Sequence, residues 1–588
     1  MINAHSTTQH PRQQSALIAT LILVGMISQA HSSNSSIRCS DTATSQKQVY
    51  WGDLHVHTAY SLDAYGFGTV ATPTEALNFA RGQPIQLPGG SVAHLDRPLD
   101  FVAITDHAEW LDFLHHCTDP GNSNHPACQS LREHSSPEGG GKNFADFVVP
   151  SITKDAPAAL APCAEDPAMC RSNSFAQWQR IQNQVNAANT PCEFTALLGY
   201  EWSATRSFSH THRNVIFRSA AVTTEAIDYI RHPKLTDLFR ELNLQCRHDK
   251  GCAALTIPHN TNMSDGASFD VLTEDADTRN MRARYERLIE IHQEKGNSEC
   301  LAPLGVQDES DCNLEIQLTR QSRPAKPSDY SQAEWERMRA GYVRGLLLRG
   351  LEASATSLPP NAMPLKLGIV GATDTHSATP GYVEEALWQG SVFGFGNFER
   401  NMTRLSWNPG GLTGVWAKQN TRADIFDALH RREVYATSGT RIRLRVDSAV
   451  SMKSGSSSCD KFADADLPVP MGGDLHPARG SRVFRIQALA DRTPLARIEI
   501  IKGTFIDGEK RQKVISVWQG NARDVCLIWR DDEYHKHAPA FWYVRVHEQA
   551  TPRWSSWMCR AAARCDAFPE ADRMVTERAW SSPIWSLP

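Results

Sequence analysis

Six times along this chain of 588 residues, a short apolar run rich in β-branched side chains stops abruptly at residues able to bind protons or cations. Val49 to Leu54 ends at His55, Phe101 to Ile104 ends at Thr105-Asp106-His107, and Phe194 to Leu198 leads to Glu201. Further on, Ala253 to Ile257 meets Pro258-His259, Leu288 to Ile291 meets His292, and Leu367 to Val370 leads to Thr373-Asp374-Thr375-His376. Runs this apolar fit strands buried on both faces, as in parallel sheets covered by helices. Helical candidates lie between them, at Pro73 to Arg81, Ser174 to Ala188, Thr236 to Leu242 and Glu334 to Leu351. Asp424 to Arg432 adds one more helix and Val434 to Thr437 one more strand. The β-α-β-α order belongs to an α/β barrel or a doubly wound sheet, and a barrel gathers the most strand ends around one point.

The texture changes near residue 445. Beyond it, stretches such as Val483-Phe484-Arg485-Ile486 and Ala496-Arg497-Ile498-Glu499-Ile500 alternate as antiparallel strands do. The chain therefore divides into an α/β unit over 31–445 and a β-rich accessory domain over 446–588, a division its length also calls for. Asn122 to Lys142 and Ser322 to Tyr330 read as surface insertions.

Residues 1–30 read as an export signal: Arg12 supplies charge, Ala16 to Ile27 is apolar, and Ser28-Gln29-Ala30 offers small residues for cleavage. The apolar run is shorter than the roughly 20 residues that span a bilayer. We therefore expect a periplasmic or secreted protein without stable membrane insertion after cleavage. The 14 cysteines agree, being even in number and many of them closely paired. Local bridges are expected for Cys117 with Cys128, Cys163 with Cys170, Cys246 with Cys252, Cys300 with Cys312, and Cys559 with Cys565, none of which has C-x-x-C spacing. A formal net charge of -5 lacks the basic excess that a phosphate backbone requires, so nucleic acid is not an expected partner.

His55-Val56-His57 places two imidazoles on one face of an extended strand, aimed at one ion. Alone that pair says little. With Asp63, His107, Glu201, His259, His292, Asp374 and His376 it becomes a set of imidazoles and carboxylates gathered at strand ends. Such ligands suit Mn, Zn or Fe(II), and they are too many for a single tetrahedral ion.

The ordered series His55-x-His57, Asp63, Thr105-Asp106-His107, Glu201, Pro258-His259, His292 and Asp374-x-His376 resembles the polymerase and histidinol phosphatase (PHP) superfamily. Trp51 to His55, Ala372 to His376 and Ala579 to Trp585 look more narrowly like a secreted branch long filed as a domain of unknown function. The resemblance implies a distorted seven-stranded α/β barrel, a trinuclear centre, and hydrolysis of phosphate or, in the secreted branch, sulfate esters. Asp63 departs from the pattern, since many PHP enzymes carry histidine there.

The expected chemistry is metal-dependent hydrolysis at a di- or trinuclear centre, where a bridging water is lowered toward a pKa of about 7. Asp63, His210 and His212 are the candidate proton donors, and Arg213 and Lys295 the candidate substrate-binding residues. The expected partner is a small-molecule or glycan substrate bearing the ester. The alternatives are an exported metal-, anion- or glycan-binding protein without catalysis, and a metal-dependent hydrolase of carboxylic esters, lactones or amides.

Overall fold

Strand Phe101–Ile104 shows what holds the fold together. Phe101 and Ala103 pack with Leu54, Leu197, Ile216, Leu255 and Val370 on one face, while Val102 and Ile104 pack with Trp110, Ala196 and Leu198 on the other. Alternation along a strand sends neighbouring side chains to opposite faces, so a strand with two buried faces must be apolar throughout.

The computed structural model describes residues 39, 46–118, 123–154, 156–269, 271, 274–305, 312, 314–320, 323–356, 363–451, 459, 462, 468–476 and 480–588. The expected export signal lies outside the described residues. The longer strands of the first part are β1 (Gln48–Asp53), β2 (Phe101–Ile104), β3 (Thr195–Trp202), β4 (Arg213–Phe217), β5 (Ala254–Pro258), β6 (Leu288–Gln293), β7 (Gly368–Gly371), β8 (Leu412–Ala417) and β9 (Val434–Thr437). Those that follow are β10 (Arg443–Ala449), β11 (Arg482–Leu489), β12 (Leu495–Ile506), β13 (Glu509–Ala522), β14 (Asp524–Asp531), β15 (Ala540–Glu548), β16 (Arg578–Ser581) and β17 (Ile584–Ser586).

The protein is a mixed α/β structure with one large sheet. Twelve strands join in the order β13-β12-β15-β16-β9-β8-β1-β2-β3-β4-β5, with β17 also on β15. The sheet is mixed: β1, β2 and β3 run parallel, whereas β4 is antiparallel to both β3 and β5. β7 and β6 pair in parallel in a separate small sheet, and a parallel bridge from Thr256 to Glu286 links β5 to the approach of β6. β10, β11 and β14 form part of a four-stranded antiparallel sheet. The large sheet draws on both sides of the expected boundary at residue 445, because β12, β13, β15, β16 and β17 extend the edge begun by β8 and β9.

The helices follow their sequence signals, with two instructive details. Pro73–Ala80 begins in a capping box between Thr72 and Glu75, which fixes its start. The helix expected over Glu334 to Leu351 is two, Gln332–Gly341 and Val343–Thr356, separated at Tyr342 by extended backbone. Gly341 lies so close to Gly266 that an added Cβ would stand 2.8 Å from its Cα, and this contact turns the chain there. All cysteines are bridged: the five expected local pairs form, and Cys39–Cys192 and Cys459–Cys526 complete the set. Seven disulfides fit an oxidising compartment. Among the described residues, no helix is long and apolar enough to cross a membrane.

A buried charge network ties the large sheet to the α/β part. Glu299 accepts from Arg344 at 2.6 Å, Arg545 at 3.0 Å, the Tyr543 hydroxyl at 2.7 Å and the Trp580 indole at 2.8 Å. Burial works against its charge, but Arg545 and Arg344 outweigh that and hold its pKa well below the usual carboxylate range. A depressed acid adds stability above its unfolded pKa of about 4.3 and loses it as pH falls toward the folded value. Glu299→Gln should cost about 3–5 kcal/mol, since it strands buried arginines. Denaturant unfolding should show a lower midpoint at pH 7 and a shallower loss of stability below about pH 4 than in the wild type.

Candidate metal centre

Backbone pairing beyond the strand ends brings the polar residues together. Segments 54–58 and 373–378 run side by side: His57 N donates to Thr375 O, Asp374 N to His55 O, and Ala378 N to His57 O. His107 and Glu201 form a parallel bridge, and His259 N donates to His212 O. Asp374 holds this course with φ of 56°, left-handed backbone that non-glycine residues rarely adopt. Two other buried carboxylates fix the loops. Asp106 accepts from Thr58 N, Thr58 Oγ1 and Ser61 Oγ at 2.7–2.8 Å. Asp53 accepts from Thr373 Oγ1 at 2.6 Å and Gly381 N at 2.9 Å.

Four donor atoms converge at the centre. The Nε2 atoms of His55 and His57 lie 3.1 Å apart, and each is 3.1–3.2 Å from Glu201 Oε2 and 3.1 Å from Asp374 Oδ1. Glu201 turns its other oxygen, Oε1, to His212 Nδ1 at 2.7 Å and His259 Nε2 at 3.1 Å. To the other side, Asp63 Oδ2 stands 3.3 Å from His107 Nε2 and 3.1 Å from His376 Nε2. The His57 ring stacks within 4.4 Å of His107 and 4.2 Å of His376, which joins this third group to the first.

The outward ring nitrogens decide what these groups can hold. His55 Nδ1 donates to Glu290 at 3.1 Å and His376 Nδ1 to Asp374 O at 2.8 Å. His57 Nδ1 donates to Ser61 Oγ at 2.9 Å, whose own proton goes to Asp106. His107 Nδ1 meets Ser203 Oγ at 2.6 Å, and His212 Nε2 meets Thr205 Oγ1 at 2.7 Å. Anchoring the outer nitrogen fixes the tautomer and leaves the inner one as a lone-pair donor, the arrangement found around bound metal. Burial, reinforced by neighbouring His376 and His107, lowers the His57 pKa to about 4, and burial lowers His212 to about 4 as well. Burial also opposes a charge on His107, yet Glu201 and Asp63 lift it to about 9. Glu201 and Asp374, buried, and Asp63, partly buried, draw positive charge to this point, and divalent cations bound by nitrogen and oxygen would supply it.

These groups form one end of a cavity of about 560 Å³. Of the residues expected at the site, His55, His57, Asp63, His107, Glu201, His259, Asp374 and His376 come together. His212, expected to move a proton, instead faces Glu201 among the ligand atoms. His210 lines the cavity and its Nδ1 has no partner among the described residues. Lys295 also lines it and pairs with Asp374 Oδ2.

Two expectations need correction. Arg213 does not face the cavity; it is buried against Glu286 at 2.8 Å and the carbonyls of Thr211 and Ser268. In a strand it must point away from its neighbours His212 and Asn214. His292 also stands outside the cluster, tilted over Trp580 with ring centroids 5.9 Å apart. A bulge in the β6–β7 pairing, where Val370 faces Glu290 but Gly371 faces His292, inserts Ile291 and reverses the alternation. Glu290 is the residue of that strand which reaches the site, and a glutamate inside the apolar run Leu288 to Ile291 was its signal in the sequence.

A family model described as a protein of unknown function (DUF3604) matches residues 44–525 and 519–588. The chain belongs to this family. No curated protein matches it. One solved structure is similar, the crystal structure of a two-domain protein containing a predicted PHP-like metal-dependent phosphoesterase from Bacteroides vulgatus. It is 12% identical over 84% of this chain and 90% of that chain, with a TM-score of 0.29.

The geometry makes a specific prediction for this DUF3604 member. Elemental analysis of purified variants should find that Glu201→Ala, which removes oxygens from two groups at once, loses more bound divalent metal than Asp63→Ala. His292→Ala should retain the wild-type metal content.

Proposed function

We propose that this protein hydrolyses phosphate or sulfate esters with two or three divalent ions, Mn, Zn or Fe, at the centre described above. The observation that carries the reading is the convergence of His55, His57, Glu201 and Asp374 on one point, with Glu201 shared by a second group. The ordered motif resembles PHP enzymes, and we extend that resemblance to a distorted seven-stranded barrel, which the bridge from Thr256 to Glu286 supports. We likewise assign residues 1–30 to an export signal, cleaved in a periplasmic or secreted product.

Bound divalent ions supply Lewis acidity and an activated water at neutral pH. The protein does the rest. Glu201, Asp374 and Asp63 set the spacing of the groups, and the anchored imidazoles keep their lone pairs inward. Lys295 places an ammonium at the cavity beside Asp374, suited to a non-bridging oxygen of a tetrahedral anion. Asp63 is engaged by both His107 and His376, and His212 by Glu201, so neither is available as a proton donor. His210 is left as the group to hydrogen-bond the departing oxygen, from Nδ1.

Protein loaded in turn with Mn, Zn and Fe should cleave 4-nitrophenyl phosphate or 4-nitrophenyl sulfate. His55→Ala should lose metal together with kcat/KM by at least about 10²-fold. A chelator should abolish turnover, and the matching ion should restore it. Full metal occupancy with no turnover of either ester would sink the reading and favour a binding protein; turnover confined to carboxylic esters or amides would redirect it.

A further inference from the structure

The cavity's far walls speak to the half of the substrate that is not the anion. Phe144, Val148, Val149 and Ile152, from the segment that follows the Cys117–Cys128 bridge, make one side. Phe393 and Trp407 make another, with ring centroids 4.9 Å apart. Two cations attend these rings: Arg404 stands 5.4 Å over Phe393, and Lys295 Nζ 5.9 Å over Trp407. Among the described lining residues, the carboxylates are Asp63, Glu201 and Asp374, all within the ligand groups. The remaining polar lining groups are hydroxyl, amide and imidazole side chains.

Charge and apolar surface thus occupy different parts of the lining. The ligand groups with Lys295 take an oxyanion, Arg404 adds a second positive charge, and the other walls offer aromatic and aliphatic surface. A polyhydroxylated alcohol brings several donors that Phe144, Val148, Val149 and Ile152 cannot pair. A flat apolar alcohol loses nothing there and gains ring contact with Phe393 and Trp407.

Resting on the hydrolase reading above, we propose that the ester's alcohol half is an aryl or arylalkyl group, held between the Phe144–Ile152 wall and the Phe393–Trp407 shelf. Lys295 and Arg404 would draw the anionic ester toward the ligand groups. Trp407 is then a specificity-determining residue that acts on binding of the alcohol portion.

The test uses the full-length, metal-loaded protein. Turnover of the 4-nitrophenyl ester establishes the hydrolase and its oxyanion. The 2-phenylethyl and glucose-6 esters of that oxyanion are then compared, both being esters of primary alcohols with similar leaving tendency. The 2-phenylethyl ester should be preferred by at least about tenfold in kcat/KM. Trp407→Ala should raise KM for that ester about tenfold, leave the glucose ester within about twofold, and leave metal content unchanged. Phe144→Ala, on the aliphatic side, should act in the same direction. If the 4-nitrophenyl ester turns over but the glucose ester is used equally well, the inference about the alcohol fails and the hydrolase reading stands. Equal losses for both esters in the variants would have the same meaning. Absence of 4-nitrophenyl turnover would overturn both.

Discussion

The carboxylate of Glu201 faces two ways. One oxygen sits with His55 and His57 and the other with His212 and His259, so a single side chain sets the distance between two groups of donors. Burying a carboxylate amid imidazoles is costly unless positive charge answers it, and His55, His57 and His212 are anchored through their outer nitrogens so that the inner ones face it. The scaffold's task is to hold that unfavourable gathering in place. Asp374 in left-handed backbone, the bridge between His107 and Glu201, and the loops clamped by Asp53 and Asp106 all bear on it.

Packing provides the rigidity. The central strands are buried on both faces, and helix Arg422–His430 contributes Ile425, Phe426 and Leu429 to the cluster that holds Phe101, Leu197 and Val370. Side chains mounted at the ends of such strands inherit their precision, which matters where donor atoms must meet within tenths of an ångström.

Much of this was legible in the primary structure. The apolar runs marked β1 to β3 and β5 to β7 because two-sided burial leaves no room for polar alternation, and Val434–Thr437 was recovered at its observed bounds. The ligand series was visible because residues two apart on a strand share a face. What escaped did so for local reasons. His212 precedes its strand instead of following it, since that strand runs antiparallel, so the sequence offered it as a proton donor and not as a ligand. His292 obeyed the spacing but not the bulge, a feature that depends on a partner strand distant in sequence. Arg213 looked suited to an anion, yet its fate was settled by Glu286, which no short window reveals. The bridges Cys39–Cys192 and Cys459–Cys526 span 153 and 67 residues and carry no local signature, unlike the close pairs.

Strand β16, Arg578–Ser581, is hydrogen-bonded between Val434–Thr437 and Ala540–Glu548, well inside the large sheet. Its Trp580 indole also completes the hydrogen bonding of Glu299. A nascent chain still lacking these residues has a gap in the middle of its sheet, with both flanking strands exposing unsatisfied edges. Completion of the sheet therefore waits on residues 578–581. Loss of this strand would strike the heart of the architecture instead of fraying its periphery.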